Sequence, residues 1–148
     1  GPLFTSSAVG RLAGARRALD EAGVSPRSDW TVETGYGIEA GARAGHELFD
    51  ATERPTAVFA ANDNLALGVL SAAHRHNLAV GADLSLVGYN DIPLAQLLPV
   101  PLTSVRTAFD QIAGTAMDLL INGTDDSAAV HKALPTLIPR QSSSRAIR

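Results

Sequence analysis

The chain has 148 residues, 45% hydrophobic and 18% charged, enough for one domain with a real core, and no run reaches the ~18 apolar residues of a membrane span. It contains no cysteine, which excludes disulfide frameworks and thiolate metal sites, and a formal charge of -3 with eleven scattered Arg and one Lys gives no basic footprint for nucleic acid. No basic stretch followed by an apolar one opens the sequence, so the cytoplasm is the expected compartment.

Thr5, Ser6 and Ser7 offer caps to a first helix, whose apolar positions Val9, Leu12, Ala13, Leu19 and Ala22 recur at helical spacing. Gly23 is placed to end it. Trp30 to Thr34 reads as a short strand, broken by Gly35-Tyr36-Gly37. A second helix from about Ile38 to Phe49 is suggested by Ile38, Ala42, Gly45 and Phe49, and Pro55 closes the loop behind it.

From Ala57 to Ala61 the residues are continuously apolar, as expected of a parallel strand covered on both faces. Asn62 and Asp63 follow at its carboxyl end. Either can cap a third helix from about Asn64 to His76, with Asn77 as a left-handed stop, and open parallel sheets bind ligands in the crevice outside such strand ends. Leu84 to Tyr89 is another strand candidate, ending in the polar pair Asn90-Asp91.

The loop from Ile92 to Leu102 carries Pro93, Pro99 and Pro101, which keep it from becoming a long helix or a central strand. Then come a strand at Thr103 to Arg106, a helix from about Phe109 to Asn122 with Gly123 behind it, an exposed linker from Asp125 to Ala129, and a final strand near Leu134 to Ile138. Arg145 to Arg148 reads as a solvated tail. The alternation of strands and helices predicts an α/β fold with a mostly parallel sheet and right-handed crossovers.

The histidines give no expectation of a metal site or cofactor. His74 and His76 are two apart on a helix and point in different directions, and His46 and His131 have no carboxylate or cysteine partner at ligand spacing. No nucleophile elbow, phosphate loop or dinucleotide fingerprint is present, so an enzyme is not expected. A small α/β enzyme, flavodoxin-like in fold, would need one of these.

Five blocks, taken in order, carry a family resemblance. They are Gly1-Pro2-Leu3 with Arg11-Leu12-Ala13-Gly14, Pro55 through Gly68, Asp83 through Pro93, Pro101 through Arg106, and Leu134-Pro135-Thr136. Together they resemble the effector-binding region of the lactose-repressor/galactose-repressor family of bacterial transcription regulators, similar in fold to periplasmic sugar-binding proteins. The resemblance implies a three-layer, mostly parallel sheet with helices on both faces, truncated relative to the family. Its DNA-binding headpiece and first subdomain, and the first strand, helix and second strand of the C-terminal subdomain, would lie before Gly1. Residues 1–106 would form the C-terminal effector-binding subdomain, 107–140 a crossover segment, helix and strand belonging to the other subdomain, and 141–148 a tail.

The implied ligand is a small sugar, whose hydroxyls need planar groups that donate and accept, and whose C–H face needs an apolar platform. The implied contacts are Arg11, Asn62 and Asn90, with Tyr36 as an aromatic platform and Thr107 and Phe109 where the chain passes between subdomains. Asn90 departs from the commoner Asp, which loses charge-assisted hydrogen bonding. Each has a bland alternative: Asn62 as a helix cap, Arg11 as a solvated charge, Tyr36 and Phe109 as core aromatics.

Leu94, Leu97 and Leu98 in the proline-rich loop, with Leu67 and Leu70 on the third helix, form the apolar patch through which the resemblance implies a homodimer. The implied function is a regulatory one, with a sugar effector controlling operator binding by the headpiece, in most of the family as repression. A periplasmic-type sugar-binding protein for an importer is the alternative.

Overall fold

The computed structural model describes residues 1–25, 27–123 and 130–144. Four strands form one sheet in the order β1 (Ala57–Phe59), β2 (Ser85–Asn90), β3 (Thr103–Arg106), β4 (Thr136–Ile138). The first three run parallel and β4 runs antiparallel to β3. The α/β fold with a mostly parallel sheet is therefore observed.

The helices are α1 (Ser6–Glu21), α2 (Ile38–Asp50), α3 (Asp63–Arg75) and α4 (Phe109–Asn122). Thr5 caps α1, its hydroxyl accepting the Ala8 N–H, and Asn62 caps α3 by accepting the Leu65 N–H at 2.8 Å. Gly23 and Asn77 take left-handed conformations, φ 68° and 55°, just past the helices they follow.

The core lies between α2, α3 and one face of the sheet, with Leu48, Phe49, Leu65, Val69, Leu84, Leu86 and Leu102 all buried. Helices α2 and α3 touch almost backbone to backbone. A methyl group on Gly68 would collide with the Ile38 carbonyl and the Ala42 amide nitrogen, so glycine there is what permits the contact. Leu86 and Gly88 turn toward α3, which leaves Val87 and Tyr89 on the other face of β2 by the pleat.

The expected strand at Trp30 to Thr34 does not form. Ser28–Trp30 is a single 3-10 turn, and the residues after it run on without a ladder partner. The cause is a gap: an apolar cavity of about 390 Å³ separates Trp30, Val32 and Thr34 from Ala57 and Phe59 on the outer edge of β1. A strand exists only by pairing, and none of the described residues pairs with this segment.

Two further differences concern the C-terminal third. The segment 107–140 was expected to leave this unit, yet β4 hydrogen-bonds along β3 with Ser104 opposite Ile138 and Arg106 opposite Thr136. Helix α4 does stand apart, with none of its residues buried. The expected tail begins as built structure, because Ser142 is sealed between β2 and β3. Its Oγ donates to the Leu86 carbonyl at 2.6 Å and accepts the Thr103 N–H at 2.7 Å. The linker from Asp125 to Ala129 and the tail from Arg145 to Arg148 lie outside the described residues.

Candidate functional site

The carboxyl ends of β1, β2 and β3 stand side by side. The β1–β2 register pairs Phe59 with Val87, Asn62 follows three residues beyond Phe59, and Asn90 ends β2, paired with Arg106 across β3. Asn90 and Arg106 are thus neighbours across the ladder at the tips of β2 and β3.

Asn62 is buried and engaged on both sides. Its Oδ1 caps α3 and its Nδ2 donates to the Tyr36 carbonyl at 3.1 Å. Structure thus realises the capping alternative for Asn62, and what it retains toward a ligand is one amide N–H and one lone pair. Asn90 is only half-buried, and no hydrogen bond among the described residues uses its amide. Its backbone φ is 110° and that of Asp91 is 57°, two consecutive positive values in residues with side chains. Such backbone must be held by its surroundings.

The holding groups are visible. The Asp91 N–H donates to Ser104 Oγ at 3.0 Å, and the Ile92 N–H to Asp63 Oδ2 at 2.8 Å. Ser104 in turn donates to Asp63 Oδ1 at 2.6 Å. Asp63 sits in the first turn of α3, where the helix dipole favours its charge, and Gly88 must lack a side chain because any Cβ would strike Asp63 Oδ1.

Beyond the turn, the Asp91 carboxylate lies between two guanidiniums. Arg106 directs Nε and Nη2 to Oδ2, each at 2.7 Å, and Arg140 brings Nη1 to 2.6 Å from Oδ1. Burial pushes the Asp91 pKa up, but the hydrogen bonds and charges of Arg140 and Arg106 outweigh it and hold it below the usual carboxylate range. Neither Asp91 nor Arg140 was a sequence candidate. Asp91 had a signal, as the second polar residue after the strand, whereas Arg140 had none because only the fold of the last segment brings it there.

Arg11 reaches the strand tips from α1. Its guanidinium lies 3.8 Å over the centre of the Tyr89 ring, and Nη1 donates to the Ala61 carbonyl at the end of β1. This cation–π contact fixes the planar fork, leaving further donors for a ligand. Tyr36 is turned toward the start of α1, its hydroxyl bonded to Thr5 Oγ1 at 2.8 Å and Ser7 Oγ at 3.2 Å. Those hydrogen bonds, Ser7 first, lower its pKa. The aromatic under the Arg11 guanidinium is Tyr89, a residue the sequence reading passed over.

Thr107 follows β3, and its buried hydroxyl has no partner among the described residues. Phe109 opens α4 and is 56% exposed, so it packs in no core here. In the apolar patch, Leu97 is 73% exposed and Leu94 about half, while Leu67, Leu70 and Leu98 are half-buried, the last two against the core. His46 Nδ1 and His76 Nε2 meet at 2.9 Å between α2 and α3, a contact not foreseen from their spacing. No cluster of three or more metal-ligating side chains occurs among the described residues.

Comparison with known proteins agrees with the α/β fold. Residues 4–143 match the model of the periplasmic binding protein-like domain. The HTH-type transcriptional repressor PurR of Escherichia coli O1:K1 is 34% identical over 146 residues, covering 96% of this chain and 42% of its own length. The structure of the lac repressor dimer bound to operator and the anti-inducer ONPF superposes with a TM-score of 0.85 at 30% identity, covering 97% of this chain and 50% of that one. A LacI family transcriptional regulator from Mycobacterium smegmatis gives a TM-score of 0.86 at 29% identity, with 97% and 55% covered. This chain spans about half the length of these relatives, or less. It belongs to the periplasmic binding protein-like domain family, and these relatives within that family are LacI-family transcriptional regulators.

Proposed function

We propose that this chain is the effector-binding part of a sugar-responsive transcription regulator, cytoplasmic and dimeric, in which a small polyhydroxylated ligand controls binding of operator DNA by a separate headpiece. One observation carries the reading: at the carboxyl end of β2 the Asn90 amide has no partner among the described residues, and Arg11, held over the ring of the adjacent Tyr89, keeps guanidinium donors beyond the one spent on the Ala61 carbonyl. Planar hydrogen-bonding groups around an apolar ring face suit a sugar's hydroxyls and C–H surface. Asn62 contributes what its capping role leaves free, and Thr107 and Phe109 stand where the chain passes from β3 to α4.

The kinship with transcriptional repressors favours regulation over an importer's binding protein or an enzyme. Regulation requires the ligand to bind two arrangements of the protein unequally, since only a difference in affinity shifts an equilibrium. The apolar patch at Leu94, Leu97 and Leu98, flanked by Leu67 and Leu70, is the surface we assign to the homodimer.

A thermal-shift screen of the full-length protein against mono- and disaccharides tests this, because a ligand that binds only the native state raises the apparent melting temperature. A stabilising sugar whose effect vanishes in Arg11→Gln and Asn90→Ala supports the reading. A hit indifferent to both substitutions places the ligand elsewhere.

A further inference from the structure

We infer that the effector carries a negative charge, a phosphate or carboxylate, seated on Arg106 and Asn90 at the tips of β2 and β3. The inference rests on the proposal that these strand tips hold a carbohydrate-like effector, and it names the class of that effector.

The first ground is charge balance. Asp91 is the one carboxylate between Arg106 and Arg140, and a single negative charge cannot neutralise two guanidiniums. Asp63, the second carboxylate nearby, keeps its charge at the start of α3, its oxygens bonded to neutral donors, the Ile92 N–H and Ser104 Oγ. Arg11, over the Tyr89 ring, is a third guanidinium at the strand tips, so three positive charges face two negative ones and one is left over.

The second ground is where that charge is available. Arg140 is mostly buried and its Nη1 also donates to the Leu102 carbonyl at 2.7 Å. Arg106 spends Nε and Nη2 on Asp91, its side chain is 56% exposed, and its Nη1 has no partner among the described residues. The leftover charge is thus presented at the open side, by the residue paired with Asn90 in the ladder.

The third ground is the identity of Asn90. A carboxylate at this position would neutralise the leftover charge and repel an anion, whereas an amide leaves the charge unmet and donates two N–H groups. Thr107 adds a buried hydroxyl without a partner one residue beyond Arg106. A guanidinium and an anion form hydrogen bonds roughly twice as strong as neutral ones, and the planar fork suits both carboxylate and phosphate. A neutral sugar would use only part of what these residues offer.

The test is calorimetric titration of the full-length protein with matched pairs at fixed ionic strength: glucose and glucose 6-phosphate, ribose and ribose 5-phosphate, galactose and galacturonate. The charged member of the pair that binds is expected to be favoured by roughly tenfold or more. Arg106→Gln should bring that ratio to about one, Arg106→Lys should keep part of it, and added salt should weaken the charged member more than the neutral one. Equal affinity within every pair, or a preference that survives Arg106→Gln, overturns the anion subsite and leaves the sugar reading standing. No binding by any member, charged or neutral, overturns both.

Discussion

Asn62 follows the carboxyl end of β1 and Asn90 ends the neighbouring parallel strand β2, and among the described residues only Asn90 has an unbonded side-chain amide. Asn62 spends Oδ1 on the Leu65 N–H and Nδ2 on the Tyr36 carbonyl, so it fastens the start of α3 to the loop before α2. Asn90 extends from a turn with two positive φ values, where the backbone N–H groups that follow it are already satisfied by Ser104 and Asp63. One amide builds the site and the other is offered by it.

Asn62→Ala is therefore a stability variant before it is a binding variant. Removing the cap and the bond to Tyr36 should cost about 1–2 kcal/mol, read from the urea midpoint at unchanged m-value. A loss much smaller than this would mean that the cap contributes little in solution.

Asn90→Asp separates the two kinds of ligand. The added charge should strengthen hydrogen bonds to a neutral sugar's hydroxyls, raising affinity about three- to tenfold, and should weaken binding of a sugar phosphate or sugar acid. Titration of one matched pair reads both signs in a single variant. Movement of both affinities in the same direction would show that residue 90 does not face the ligand.

The ion cluster at Asp91 predicts a pH dependence with a definite sign. Because its pKa is held low in the folded chain, the stability it supplies is present above the unfolded carboxylate pKa and is lost as pH falls through the lower folded value. Asp91→Asn should cost about 2–4 kcal/mol at neutral pH, since it strands a mostly buried Arg140. Urea midpoints of the two proteins should converge on acidification below about pH 4. A gap that persists to pH 2 would contradict the ionic origin.

Ser142→Ala should behave as a core lesion despite lying in a polar run. It would leave the Thr103 N–H and the Leu86 carbonyl unsatisfied in buried surroundings, at a cost of about 1–3 kcal/mol. Thermal or urea unfolding reads this directly, and a neutral result would place the last segment off the sheet in solution.

Leu97→Lys with Leu94→Lys should shift the full-length protein from dimer to monomer in sedimentation while leaving its circular dichroism spectrum unchanged. Both residues are exposed, so charge there disturbs an interface rather than the core. A dimer unaffected by both changes would place the interface elsewhere.

Much of this was legible along the chain because it depends on neighbours in sequence. Thr5 and Asn62 as caps and Gly23 and Asn77 as stops each act within a few residues, and the structure has all of them. The apolar run from Ala57 does form β1, but as an edge strand with Ala57 and Phe59 exposed, not as the strand covered on both faces that its composition suggested. Pairings between distant segments were not legible in that way. Trp30 to Thr34 has strand composition but no partner, and Gln141 to Ser144 reads as polar tail but wedges between β2 and β3. His46 meets His76 across two helices that no spacing rule connects.

By itself the sequence determined the order of the helices and of the strands from Ala57 onward, and placed Asn62 and Asn90 at the carboxyl ends of β1 and β2, because periodicity and caps are local free energies written in adjacent residues. Only the tertiary structure decided which amide is spent, that Tyr89 carries Arg11, and that Asp91 holds Arg106 and Arg140 together. Those outcomes depend on register and on competition among polar groups for the same partners, and both exist only once segments far apart in the chain have been brought within hydrogen-bonding distance.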